Sequence, residues 1–212
     1  MGHIAGVILA AGTSSRMGPV NKLLLRYREH TVVEETLIQL TKSQVDSILI
    51  VTGYESDRIE KVLSGHLSGR ISSVFNDNYQ HGRAESIKCA VRHFADDTEA
   101  AVFMVADKPG VTSALIDRAI RRYRKDQPAV LYVETPCGRG HPIIFSKSMF
   151  AELLRLEGDC VGNDLLAKYQ DDIVTVKDTN KQIDVDNEAD YQTLMKAEAV
   201  RPRTRGEEGG RK

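Results

Sequence analysis

Two cations, Arg16 and Lys22, close a stretch that begins apolar and turns small and hydroxylic: Ile8, Leu9, Ala10, Ala11, Gly12, Thr13, Ser14, Ser15, Arg16, then Met17 to Lys22. Successive backbone N–H groups in such a turn form a concave set of donors, and the two side chains can neutralise phosphate oxygens, so the stretch suits a polyanion. Ala10 and Ala11 leave room for a flat base. Neither common phosphate fingerprint is present: a P-loop needs Gly-Lys-Ser/Thr in sequence, whereas Lys22 stands between Asn21 and Leu23, and no G-x-G-x-x-G occurs. The plain alternative is a surface loop after a strand.

Carboxylates supply the second half of the chemistry. Asp107 ends the most apolar run of the chain, Ala100 to Ala106, and is followed by Pro109, so its side chain is expected in a crevice rather than in the core. An Asp there can simply form a turn. Beside a phosphate loop on a neighbouring parallel strand it becomes a Mg²⁺ ligand, because Mg²⁺ at phosphates takes only one or two protein carboxylates. Asp184 and Asp186 are two apart, so in an extended segment both point the same way, and one of them can complete the metal site. Alternatively, Asp186 and Asn187 only cap the last helix, and both roles are compatible.

These residues need a parallel sheet to bring them together. Val- and Ile-rich runs at 4–9, 45–52, 71–75, 100–106, 129–134, 142–146 and 173–177 read as strands, with a short extended piece at 22–25. Helical periodicity intervenes near 31–41, 56–64, 84–94, from Thr112, at 149–156, at 164–169 and at 188–200. Thr31-Val-Val-Glu34 has the form of a capping box. Arg118, Arg121, Arg122 and Arg124 read as the solvated face of the helix after Thr112, and 136–142 as a Gly-rich loop. Such alternation implies an α/β protein with a mostly parallel sheet and helices on both faces, whose ligands sit beyond the carboxyl ends of the strands.

At 212 residues, one domain over residues 1–200 is the default, with a polar tail at 201–212 that lacks apolar residues and is expected to be disordered. The formal net charge of -1 offers no polyelectrolyte surface for nucleic acid and no basic patch for membranes, which favours small-molecule chemistry. The N-terminal apolar run is too short for a membrane span and has no cleavage-like flank, so a cytoplasmic protein is expected. Cys89, Cys137 and Cys160 are too widely spaced for a disulfide framework or a Cys-x-x-Cys zinc site.

Leu9 to Gly12, Ser15 to Gly18, Asn21-Lys22, Asp107 with Pro109, Gly140-His141-Pro142 and Asp184-Val185-Asp186 together resemble the molybdenum cofactor cytidylyltransferases, within the nucleotidyltransferases of glycosyltransferase-A-like fold. The resemblance runs from about residue 4 to 195, and Gly140-His141-Pro142 with Gly158-Asp159 narrows it to the molybdopterin branch. It implies a three-layer α/β/α, nucleotide-diphospho-sugar-transferase-like (Rossmann-like) fold. The implied reaction is Mg²⁺-dependent transfer of CMP from CTP to molybdopterin phosphate, with release of pyrophosphate.

By resemblance, Leu9, Ala10, Ala11 and Gly12 meet base and ribose, and Ser14, Ser15, Arg16 and Lys22 meet the phosphates. Asp107 and Asp186, with Asp184, hold the metal. Gly82 and Ser86, preceded by Tyr79 in the family's aromatic place, line the nucleotide site, and Gly140, His141 and Asp159 face the acceptor. Taken as a residue alone, His141 serves equally well as a turn residue bonded to backbone. Three positions depart from the pattern: Lys108 stands for Gln, Arg28-Glu29-His30 for a Gly-containing turn, and Val161-Gly162-Asn163 for Gly-Ala-Arg. Arg139 or Lys168 is expected to compensate for the last. Rival readings are transfer of another nucleotide, GMP included, to molybdopterin or to a sugar or alcohol phosphate, and a non-catalytic cofactor-binding chaperone serving a molybdoenzyme.

Overall fold

The computed structural model describes residues 2–18, 20–158 and 163–200, without the side chains of 163–165, 199 and 200. The chain opens with β1 (His3–Ala10), a short antiparallel ribbon of β2 (Arg26–Tyr27) and β3 (His30–Thr31), and α1 (Val32–Thr41). It continues through β4 (Ser47–Thr52), α2 (Ser56–Leu63), β5 (Ile71–Phe75), α3 (Arg83–Arg92), β6 (Thr98–Val105) and α4 (Ser113–Asp126). The last third holds β7 (Val130–Thr135), β8 (Gly138–Ser146), α5 (Phe150–Leu153), α6 (Asn163–Lys168), β9 (Ile173–Lys177) and α7 (Glu188–Val200).

Seven strands form one sheet in the order β5-β4-β1-β6-β8-β7-β9. All neighbours are parallel except where β8 meets β6 and β7. Because side chains alternate across a strand, Ile4 and Ile8 of β1 and Val102 and Met104 of β6 pack on one face with Leu37 of α1, Ile116 of α4 and Leu194 of α7. Val7, Ala101 and Phe103 pack on the other, with Ile87 and Ala90 of α3 and Leu153 of α5. Burial on both faces accounts for the unbroken apolar run in β6. The architecture is the expected three-layer α/β/α sandwich on a mostly parallel mixed sheet.

Chain direction locates the functional edge. From β1 the chain moves through α1 and α2 to β4 and β5 on one side, then α3 returns it to β6 on the other side of β1. The order therefore reverses between β1 and β6, and the crevice for a ligand opens beyond their carboxyl ends. The residues after Ala10 and after Val105, the two stretches selected by residue chemistry, emerge there.

Local signals in the sequence act as expected at three helix starts. Glu34 accepts from the Thr31 N–H at 2.7 Å while the Thr31 hydroxyl accepts from the Glu34 N–H at 3.4 Å, a complete capping box. Thr112 caps α4 at Leu115, and Asn187 Oδ1 accepts from the Asp190 N–H at the start of α7. Two expectations change. Residues 22–25 are not extended: Lys22–Leu24 is a 3₁₀ turn, because the Asn21 side chain accepts from the Leu23 N–H at 3.0 Å and bends the chain. The stretch 136–142 is not a loop but mostly strand, since Gly138, at φ +102°, completes a tight turn and Gly140 then pairs with Val133. Gly140 and His141 consequently stand on a rigid element.

Candidate active site

Asp107 is fixed by its own backbone. The preceding Ala106 donates its N–H to Leu9 O at 3.1 Å, and Ala106 O accepts the Thr36 hydroxyl at 3.1 Å from α1. Asp107 O in turn accepts from the Val185 N–H at 3.1 Å. Val185 is fully buried, so it pins the 184–186 segment against the end of β6 and leaves its flanking aspartates at the crevice. Three chain segments far apart in sequence thus converge on the backbone that carries this carboxylate.

Lys22 reaches that point from the opening loop. Its backbone N–H bonds the Ser14 hydroxyl at 3.3 Å, and Ser14 is left-handed at φ 53° and buried, which folds the loop back on itself. The Lys22 ammonium lies 2.5 Å from Asp107 Oδ2 and 2.9 Å from Asp186 Oδ1. Arg16, mostly exposed, meets the other oxygen of Asp186 at 2.9 Å. Burial works against the charge on Lys22, but Asp107 and then Asp186 outweigh it and raise its pKa. Burial likewise opposes the charge on Asp186, and its bonds to Lys22 and Arg16 prevail, so its pKa is lowered.

Asp184 is drawn elsewhere. It pairs with Lys108 at 3.0 Å, and burial, reinforced by the like charges of Asp107 and Asp186, raises its pKa despite that partner. Among the described residues no group of three or more His, Cys, Asp or Glu side chains is arranged to hold a metal ion. A divalent cation here would rest on Asp107 and Asp186 and complete its shell with phosphate oxygens and water. One atom fits that role: Asp107 Oδ1 is buried and has no hydrogen-bond partner.

The remaining residues singled out from the sequence divide between core and crevice. Ala10 and Ala11 are buried, and a Cβ on Gly53 would stand 2.8 Å from that of Ala11 and 2.7 Å from that of Tyr79. Both methyl groups are therefore packed inside the protein rather than left open to a flat base. Gly12 is open, with nothing within 4 Å of an added Cβ. Ser15 lies in the 3₁₀ turn with Arg16. Gly82 starts α3 at φ +106°, and Ser86 is buried, accepting from Asn76 Nδ2 at 3.1 Å. Ser86 thus supports the turn at 76–82 from beneath.

Leu9, Arg83, Phe103, Arg139, His141 and Leu166 surround a small cavity of about 70 Å³ on the α3 side of the crevice. The His141 ring bonds Phe103 O through Nδ1 at 3.2 Å, so Nδ1 carries the proton. Burial first, then the charge of Lys108, pushes its pKa down to about 4. His141 is therefore a neutral group in the crevice. Its folded-state pKa is depressed from 6.5 to about 4, so the unfolded chain binds the additional proton in that window. His141 thus costs stability progressively as pH falls from 6.5 toward 4 and nothing above it. The urea midpoint of the wild type is expected to drop more steeply over this range than that of His141→Gln; parallel curves would reject the assignment.

Two contributors carry no local signal. Gln182 clasps the backbone of His141, accepting its N–H at 2.8 Å and donating to its O at 2.6 Å. A Cβ on Gly140 would stand 2.7 Å from Gln182 Oε1, so the clasp requires glycine there. Thr36 reaches the site through a bond to Ala106 O, 70 positions away in the chain. Arg83 does have a local signal, its place directly after Gly82. A larger cavity of about 220 Å³, lined by Tyr27, Thr112, Leu115, Arg118, Gln182 and Glu198 among others, contains none of the phosphate- or metal-binding candidates selected from the sequence, so size does not locate this site. Asp159, Cys160, the 161–162 part of the departing element and the tail at 201–212 lie outside the described residues. Cys89 is buried and Cys137 exposed, both as free thiols. No helix among the described residues is long and apolar enough to cross a membrane.

Known proteins resemble this chain over most of its length. Purine catabolism protein PucB of Bacillus subtilis (strain 168) is 26% identical over 207 residues, covering 92% of this chain and 97% of PucB. The crystal structure of Rv0371c from Mycobacterium tuberculosis H37Rv superposes with a TM-score of 0.81 at 27% identity, covering 92% of this chain and 98% of Rv0371c. The same mycobacterial protein in complex with manganese matches with a TM-score of 0.76 at 25% identity, over 92% and 99% of the two chains. Residues 6–173 match the MobA-like NTP transferase domain, and the chain belongs to that nucleotidyltransferase family.

Proposed function

We propose that this protein transfers CMP from CTP to the terminal phosphate of a molybdopterin-type acceptor and releases pyrophosphate, with Mg²⁺ as the metal. The observation that carries the reading is the meeting of Lys22 and Arg16 with Asp107 and Asp186 at the strand-order reversal, where one buried oxygen of Asp107 lacks a partner. A pure binder has little need of that combination. Asp107 and Asp186 would hold the divalent cation, which supplies charge neutralisation and polarisation of the triphosphate when bound. The manganese bound by Rv0371c supports a divalent ion in this fold.

The acceptor phosphate is already largely ionised at neutral pH, its second pKa being about 6, so no strong general base is required. Its oxygen attacks the α-phosphorus, the bond to the bridging oxygen breaks, and pyrophosphate leaves with the electron pair. Lys22 and Arg16 offset negative charge as the two anions approach, and the turn at Gly12 to Ser15 offers donors to the phosphates. On the acceptor side, His141 presents a neutral ring on a strand clasped by Gln182.

The test is pyrophosphate release with each of the four common nucleoside triphosphates plus molybdopterin, with and without Mg²⁺. Release with CTP alone among them, dependent on Mg²⁺, is the expected result. Release with GTP, or only with a sugar or alcohol phosphate as acceptor, would reassign the substrates. No release with any pair would favour a cofactor-binding chaperone.

A further inference from the structure

We propose that Lys22 is the resident cation of the divalent-metal seat, so that the nucleotide-free protein excludes the metal and admits it only together with a triphosphate. The inference rests on the reading above that Asp107 and Asp186 are the metal-holding carboxylates. Its basis is geometric: a single ammonium touches both carboxylates, at 2.5 and 2.9 Å, where a divalent ion shared between them would have to compete for the same oxygens. The Lys22 side chain is 12% exposed and that of Asp107 19%, so water does little to screen the pair.

Charge balance points the same way. Lys22 and Arg16 neutralise Asp107 and Asp186 one for one, and a bare dication entering this group would leave it with two uncompensated positive charges. A triphosphate brings about four negative charges with the metal, which gives the displaced ammonium new oxygens to bind. The partnerless Asp107 Oδ1 remains as the open half of the seat. Lys22 cannot simply swing away as a whole, because its backbone is held by Ser14 and the following turn by Asn21. Only its side chain is free to exchange one set of oxygens for another.

Titration of Mn²⁺ alone, followed by the electron paramagnetic resonance signal of the free ion, separates the cases. Lys22→Met is expected to bind Mn²⁺ at least about tenfold more tightly than the wild type, and Lys22→Arg no more tightly. Adding CTP with a methylene in place of its α,β-bridging oxygen should raise the Mn²⁺ affinity of the wild type by a comparable factor. Lys22→Gln provides the same comparison if Lys22→Met does not fold. Equal Mn²⁺ affinity of the wild type and the neutral variants would overturn the proposal, and Asp107→Asn is expected to weaken binding in the Lys22→Met background. If Asp107→Asn leaves the Mn²⁺ binding of Lys22→Met unchanged, the carboxylate assignment itself fails and the proposal with it.

Discussion

Asp107→Asn is expected to lower turnover by at least about 10³-fold while the protein stays folded, with a melting temperature about 3–12 °C below that of the wild type. The asymmetry follows from what the carboxylate does. In the resting protein it contributes one charged bond to Lys22, whose loss costs about 1.5–3 kcal/mol, and Lys22 keeps Asp186 as a second partner. Asparagine preserves the shape, and the backbone contacts to Leu9, Thr36 and Val185 through residues 106–107 do not involve the side chain. In the reaction, by contrast, the same side chain would carry the divalent ion, and an amide oxygen binds it far more weakly than a carboxylate. Pyrophosphate release and thermal unfolding of one preparation decide the matter. Turnover within about threefold of wild type would remove Asp107 from the mechanism.

Lys22→Ala should reduce turnover by about 10²–10³-fold, the usual range for losing one preorganised electrostatic group. Its physical signature differs from that of Asp107→Asn. Removing the ammonium leaves Asp107 and Asp186 facing each other without their shared cation, so the pKa of Asp186, now lowered by Lys22 and Arg16, should rise. The stability held by an Asp186 carboxylate of lowered pKa is present above its unfolded value and lost as pH falls through the folded one. The variant should therefore show a shallower loss of stability on acidification than the wild type. Full activity of Lys22→Ala, or an unchanged acid limb of its stability profile, would separate Lys22 from the carboxylates on which both the chemistry and the metal-exclusion proposal depend.

The elements were legible in the chain wherever a local signal sufficed. Val- and Ile-rich apolar runs mark the strands, and Thr31 with Glu34, Thr112 and Asn187 mark helix starts because a capping side chain bonds only a few residues away. The errors arise where a single residue resets the local backbone. Asn21 turned an expected extended piece into a 3₁₀ turn, and Gly138 converted an expected loop into the start of β8, carrying Gly140 and His141 onto a strand. His141 illustrates the same limit in chemistry. Composition cannot place the titration of an imidazole, whereas burial first and then the nearby Lys108 hold this one neutral well into the acid range.

By itself the sequence determined the α/β order, the strand ends at which chemistry could occur, and the residue types able to bind phosphate and metal, because each depends on periodicity or on a short motif. Which of those residues meet was decided by the tertiary structure. The reversal of strand order between β1 and β6 brings Lys22 to Asp107 across 85 positions of chain and to Asp186 across 164. The same packing gives Asp184 to Lys108 instead and sets Gln182 against His141. Contacts of that range depend on how a sheet is wound and which backbone groups it leaves to be satisfied, and no local stretch of residues encodes them.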